Sequence, residues 1–173
     1  MVVSSKSELN NLPIPAENLK FRIVWEKVGN GGIRGDFRAR IDEKGRLAVP
    51  SRIRENLGEK VILTRGLDGC LWMFPESEWK KFAEKILSQP ASTQEGRALR
   101  RYFIGSAVDA VFDSHGRINI PQSLRNSANL QNEAVLVGQI DRVEIWNPEE
   151  WEKYLRETDR KMEKIVEKLG GIF

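Results

Sequence analysis

The chain's one histidine, His115, and its one cysteine, Cys70, have no sequence context that supplies a nucleophile with a base and an orienting group. A metal centre needs clustered His, Cys or carboxylate ligands, and a single histidine two residues from Asp113 does not make one. Lys44-Gly45-Arg46 lacks the spaced glycines and the Lys-Ser/Thr ending of a nucleotide-cradling loop. No catalytic residue, metal or cofactor is therefore expected. The chemistry the sequence does offer is cationic. Between Arg38 and Arg54, six bases (Arg38, Arg40, Lys44, Arg46, Arg52 and Arg54) stand against only Asp42 and Glu43, a net charge of +4. The guanidinium fork suits phosphate oxygens and guanine edges, and it suits structural carboxylate pairs equally well. Contact with nucleic acid and pairing with acids on a solvated face are both open at this point.

The elements that must position these cations are declared by an internal repeat. Asp42-Glu43-Lys44-Gly45-Arg46, followed by Leu47, Val49 and Pro50, returns 71 positions later as Asp113-Ser114-His115-Gly116-Arg117, followed by Ile118, Ile120 and Pro121. Arg54 returns as Arg125. After one inserted residue, Gly66 matches Gly138, Phe74 matches Trp146 and Trp79 matches Trp151. Each copy reads as strand, tight turn, strand, short helix, strand, strand. Phe37, Ala39 and Ile41 alternate with Arg38 and Arg40, the period of a half-buried strand with one basic face. Gly45 and Gly116 fit a positive φ in the turn, where Asp42 and Asp113 can accept local amides or the guanidinium of Arg46 and Arg117. The prolines close the second strands and suit the first turn of the helices over 51–57 and 122–128.

After the first copy, a helix from Pro75 to Leu87 is expected to present Trp79, Phe82, Ala83 and Ile86 on one face, until Gln89-Pro90 stops it. Ser92 with Glu95 reads as a capping box for the next helix. After the second copy, Asn147 caps and Pro148 starts a helix in which Trp151, Leu155, Thr158, Met162, Ile165 and Leu169 recur at four-three spacing. That stripe either lies on the protein's own core or packs against a neighbouring subunit. The organisation is thus an extension over 1–32, expected to be loosely packed, a first module over 36–78, a helical connector over 79–106, a second module over 107–150 and a C-terminal helix over 151–173.

Composition excludes several classes. The chain has 173 residues, 40% apolar and 31% charged, with a net charge of +3, enough apolar side chain for a real core and too little bias for disorder. No run of 18 apolar residues exists, and Lys6, Glu8, Glu17 and Lys20 interrupt any signal-peptide core, so a cytosolic protein with no membrane partner is expected. A lone Cys70 ahead of Leu71-Trp72-Met73-Phe74 reads as buried filler.

Taken together, the duplicated Asp-x-x-x-Arg turn, Lys-Gly-Arg-Leu-x-Val-Pro, Pro-Glu-x-Glu-Trp and Val-Gly-Gln resemble the MraZ family of bacterial transcriptional regulators, over about residues 33–169. The resemblance implies an α+β fold of two tandem swapped-hairpin (SpoVT-AbrB type) modules, joined in one pseudo-symmetric β-barrel-like unit with flanking helices. It also implies a ring-shaped homo-oligomer, cytoplasmic and nucleoid-associated. Its partner would be double-stranded DNA, at short direct repeats in the promoter of the cell-division and cell-wall gene cluster. The DNA-facing residues would be Arg38, Arg40, Lys44, Gly45, Arg46, His115, Gly116 and Arg117, with Asp42 and Asp113 stabilising the turns. The second copy departs from the pattern at Ser114-His115. A rival class, a non-catalytic protein-interaction module of antitoxin type, shares the same architecture.

Overall fold

The period-two pattern of Phe37, Ala39 and Ile41 becomes β1 (Ile33–Arg40), with Ala39 and Ile41 buried and Arg40 exposed. The structure, a computed structural model, describes residues 32–170. Residues 1–31, which include nearly all of the expected loose extension, and the final 171–173 lie outside the described residues. β1 turns at 42–45 into β2 (Arg46–Ala48), followed by α1 (Ser51–Leu57), β3 (Lys60–Arg65) and β4 (Leu71–Pro75). The connector holds α2 (Glu76–Leu87) and α3 (Gln94–Leu99), which runs on into a π-helical turn, Arg100–Ile104. The second copy repeats the order as β5 (Val108–Val111), β6 (Arg117–Asn119), α4 (Gln122–Ser127), β7 (Glu133–Ile140) and β8 (Val143–Trp146), followed by α5 (Pro148–Asp159) and α6 (Met162–Lys168).

Pairing exchanges strands between the copies. One antiparallel sheet runs β1-β7-β8-β4-β3-β5, so the first strand of each copy joins the third strand of the other, and the order reads the same from either edge. β2 and β6 form a separate two-stranded ribbon in the register Arg46↔Asn119, Leu47↔Ile118 and Ala48↔Arg117, which places a pseudo-dyad between Leu47 and Ile118. Both of these side chains are fully buried, in one apolar core with Ile53, Leu63, Met73, Leu136 and Ile145. The fold is the expected α+β pair of interleaved modules. The barrel-like expectation stops short of closure: β1 and β5 remain the two edges of an open sheet, and each feeds the ribbon through its own turn.

A second, aromatic core lies on the other side of the sheet, where α2 and the π-helical turn bring Phe82 and Phe103 onto Trp72 and Phe74. Cys70 is buried at its margin, and burial pushes its thiol far above the usual range, so it behaves as filler. The buried Thr64 hydroxyl donates to the carbonyl of Phe103 at 2.7 Å, tying the connector to β3.

Three local details differ from the sequence pattern. The connector cap is Thr93, whose hydroxyl accepts from the Gly96 amide at 3.1 Å. The Ser92 carbonyl is engaged instead by the Arg97 guanidinium at 2.8 Å. Pro50 and Pro121 sit at the cap positions of α1 and α4, one residue before the first helical turn. The C-terminal stripe is interrupted at 160–161, where the Lys161 amide bonds to the Thr158 carbonyl and tightens the last turn of α5. Only its first end docks on the core, through Trp151 against Trp146 with ring centroids 5.3 Å apart. Leu155, Met162, Ile165 and Leu169 are 36–64% exposed.

Candidate nucleic-acid interface

The two turns are chemically the same object. In the first, Asp42 Oδ1 accepts from the amides of Lys44 and Arg46, both at 3.0 Å, while Oδ2 accepts from Arg46 Nε at 2.7 Å. In the second, Asp113 Oδ1 accepts from the amides of His115 and Arg117, both at 2.9 Å, while Oδ2 accepts from Arg117 Nε at 2.8 Å. Each hairpin is closed by the glycine amide donating to its aspartate carbonyl, at 2.8 Å for Gly45 and 2.9 Å for Gly116. Both glycines have positive φ, +79° and +73°. The aspartates are thus held as carboxylates. The Arg46 amide, followed by its side chain, lowers the Asp42 carboxyl, and the Arg117 amide leads in holding Asp113 down to about 2.

This clamp constrains what the arginines can do. Nε is committed to the carboxylate, so the guanidinium is fixed in direction, and among the described residues no hydrogen bond is made by the terminal nitrogens of Arg46. The Arg46 and Arg117 side chains retain 33% and 27% of their exposure. Neither is sealed inside the body. An arginine aimed by its Nε, with its outer edge open, is preorganised for bidentate contact with phosphate or a guanine edge. The two readings left open by the sequence therefore coexist in one side chain: Nε meets an acid while the side chain stays partly exposed.

The ribbon brings the turns together on either side of the pseudo-dyad, and Arg117 Nη1 lies 3.8 Å from Asp42 Oδ2 of the other turn. Arg40, Arg46 and Arg117 line one groove with Asp42, Asn132 and Glu133. Lys44 and His115 are exposed at the two tips, while Gly45 and Gly116 are buried beneath them. Arg38 sits apart from this groove, in a polar cleft with Asn129, Asn132 and the start of α5, 3.7 Å from Glu133 and 3.3 Å from Glu152. At the equivalent position of the second copy, Asp109 pairs with Lys60 at 3.2 Å, so the same tie between copies is made with charges exchanged.

The pseudo-dyad relates unlike surfaces. Arg40 corresponds to Val111, which is 64% exposed, Lys44 to His115, and Arg52 to Ser123. One half is strongly basic and the other close to neutral.

Two arginines outside the expected DNA-facing set also reach the turns. Arg54 Nε donates to the Val49 carbonyl and Arg125 Nε to the Ile120 carbonyl, each at 3.0 Å. Their guanidinium groups lie under the turn glycines of the opposite copy, Arg54 under Gly116 and Arg125 under Gly45. The signal was their recurrence 71 residues apart; which turn each would meet is a matter of strand exchange.

Among the described residues no group of three or more His, Cys, Asp or Glu side chains gathers to hold a metal, and no helix is long and apolar enough to cross a membrane.

Comparison with known proteins agrees with the duplicated architecture. A family model described as MraZ protein, antitoxin-like, matches twice, over residues 33–102 and 103–169. The chain is 45% identical over 135 residues to the transcriptional regulator MraZ of Pediococcus pentosaceus, covering 78% of this chain and 94% of that one. It is 42% identical over 139 residues to the protein of the same name from Caldanaerobacter subterraneus subsp. tengcongensis, covering 80% and 97%. A further protein of that name, from Heliobacterium modesticaldum, is 42% identical over 135 residues, covering 78% and 94%.

Proposed function

The chain belongs to the MraZ family, and on that premise we propose that it is a transcriptional regulator that grips duplex DNA with the paired arginine turns of its ribbon. The observation that carries this reading is the clamp. Two aspartates fix two arginines on either side of one dyad through Nε, and both side chains keep about a third of their exposure. A two-stranded ribbon is narrow enough for the major groove, with Arg40 in the groove beside it and Lys44 exposed at the first tip for backbone phosphates. No cofactor and no catalytic step enters this reading, and the relatives are named as regulators.

The inequality of the two halves bears on the target. A truly symmetric pair of turns would favour a palindrome, whereas a basic half and a near-neutral half give the protein a direction on the duplex. Directional units in a homo-oligomeric ring suit direct repeats, here those of the promoter that drives the cell-division and cell-wall gene cluster, bound in the cytoplasm at the nucleoid. Joining several weak contacts on one ring multiplies affinity only where repeat spacing fits ring spacing. In an anisotropy titration, a duplex carrying three direct repeats upstream of the gene binds far tighter than one with the middle repeat inverted. Equal affinity for the two duplexes contradicts the directional reading.

The protein-interaction alternative draws on the exposed stripe of Leu155, Met162, Ile165 and Leu169. We assign that stripe to contact between copies of this chain. Replacing Met162 and Ile165 by Glu lowers the solution mass and weakens binding to the repeated duplex if the assignment is right. Unchanged mass with loss of a protein partner supports the alternative.

A further inference from the structure

We infer that Arg54 and Arg125 are positioning residues that act across the pseudo-dyad, each holding the turn of the opposite copy in register for DNA. The inference rests on the DNA-binding reading above and extends it to side chains that need not touch the duplex.

The geometry is a reciprocal brace. The Gly45 carbonyl accepts from the Ile120 amide at 2.9 Å, and the Gly116 carbonyl accepts from the Val49 amide at 3.0 Å. Ile120 and Val49 each precede a proline, which holds them extended. The carbonyl of Ile120 then accepts from Arg125 Nε, and the carbonyl of Val49 from Arg54 Nε. Each turn is therefore bonded to the strand end of the other copy, and the arginine of that copy closes the brace from beneath.

The fit leaves no room for a Cβ in the turn while the arginine stays in place. A Cβ on Gly45 would lie 2.7–2.8 Å from Cζ, Nε and Nη2 of Arg125, and one on Gly116 would lie 2.5–2.9 Å from the same atoms of Arg54. The guanidinium faces thus lie against bare backbone, next in chain to Arg46 and Arg117. Lysine cannot reproduce this. It keeps the charge but has neither the planar face nor a donor partway along the side chain that reaches a carbonyl while the tip extends beyond it. Arg125 Nη2 is held in turn by Gln122 Oε1 at 2.7 Å.

The test uses the full chain and a duplex spanning the DNA immediately upstream of the gene. Arg125→Ala is expected to weaken binding about three- to tenfold, the worth of one or two hydrogen bonds, with an unchanged salt slope. The discriminating measurement is the double-mutant cycle. Adding Arg125→Ala to Arg46→Ala costs nothing further, because both act through the first turn, whereas adding it to Arg117→Ala gives the full extra loss. Arg125→Lys behaves like the alanine variant. Amide shifts provide a readout that needs no DNA: Arg125→Ala moves Gly45 and Arg46 while sparing Gly116 and Arg117, and Arg54→Ala does the reverse.

Additive loss with Arg46→Ala, accompanied by a salt slope lower by about one, overturns the inference in favour of direct phosphate contact. Rescue by lysine overturns it too, as does an amide pattern confined to the variant's own copy. If the parent protein binds no duplex at any salt, the DNA reading falls by itself, and the amide shifts still decide whether the brace exists.

Discussion

Replacing Gly45 with alanine tests the interleaving of the two copies at one atom. The residue has φ +79°, where an L side chain costs about 1–2 kcal/mol. The added methyl would also fall 2.7–2.8 Å from the Arg125 guanidinium, so that side chain must leave its place. It then gives up its bonds to the Ile120 carbonyl and Gln122 Oε1, about 1 kcal/mol each. The total is about 3–4 kcal/mol. Gly69 supplies the control, since its φ of +88° carries the backbone penalty while nothing lies within 4 Å of its missing Cβ. Gly69→Ala should therefore cost only about 1–2 kcal/mol. Urea unfolding followed by tryptophan fluorescence measures both, and Gly116→Ala should cost about 2–3 kcal/mol, because Arg54 lies beneath it in the same way but gives up only its bond to the Val49 carbonyl. If Gly45→Ala costs no more than Gly69→Ala, the cross-copy contact contributes nothing and the brace is wrong.

Two further outcomes rest on the second turn's carboxylate and on the buried Thr64 hydroxyl. The Asp113 carboxyl sits at about 2 in the folded protein against about 3.9 in an unfolded chain, so its support of the second turn is present above pH 4 and is lost as pH falls toward 2. The His115 and Arg117 amide signals should shift with a midpoint near pH 2, and a midpoint near 4 would show that the carboxylate is not clamped. Thr64→Val leaves the buried Phe103 carbonyl without its hydroxyl donor and should lower stability by about 1–3 kcal/mol in urea unfolding, whereas an unchanged midpoint would detach the connector from β3.

The repeat made much of this molecule legible. Glycine, proline and aspartate at matched offsets fix turns and helix starts locally, and the structure has those elements within a residue or two. Pairing is another matter. Alternation in β1 tells which face is buried, not that its neighbour is β7 of the other copy, and that assignment came from the family resemblance. The same limit hid the brace, because Arg54 read as one base of a basic stretch and Arg125 only as its recurrence, until strand exchange put each under the opposite turn. Arg38 and Arg40 alternate with apolar residues on one strand, yet Arg40 lines the ribbon groove and Arg38 meets Glu133 and Glu152, partners that no spacing reveals. The continuous stripe from Trp151 to Leu169 predicted one helix; beyond Tyr154 little of the fold holds it, and a tightened turn breaks it at 160–161.

Arg46 and Arg117, clamped by Asp42 and Asp113, are the proposed grip on DNA. Titrating the upstream duplex with the parent protein, Arg46→Ala and Arg117→Ala across several salt concentrations tests it most directly. Each variant is expected to lose about 1–3 kcal/mol of binding where the arginine reads a base, or to lower the salt slope by about one where it holds a phosphate. Parent-like affinity and slope in both variants would contradict it.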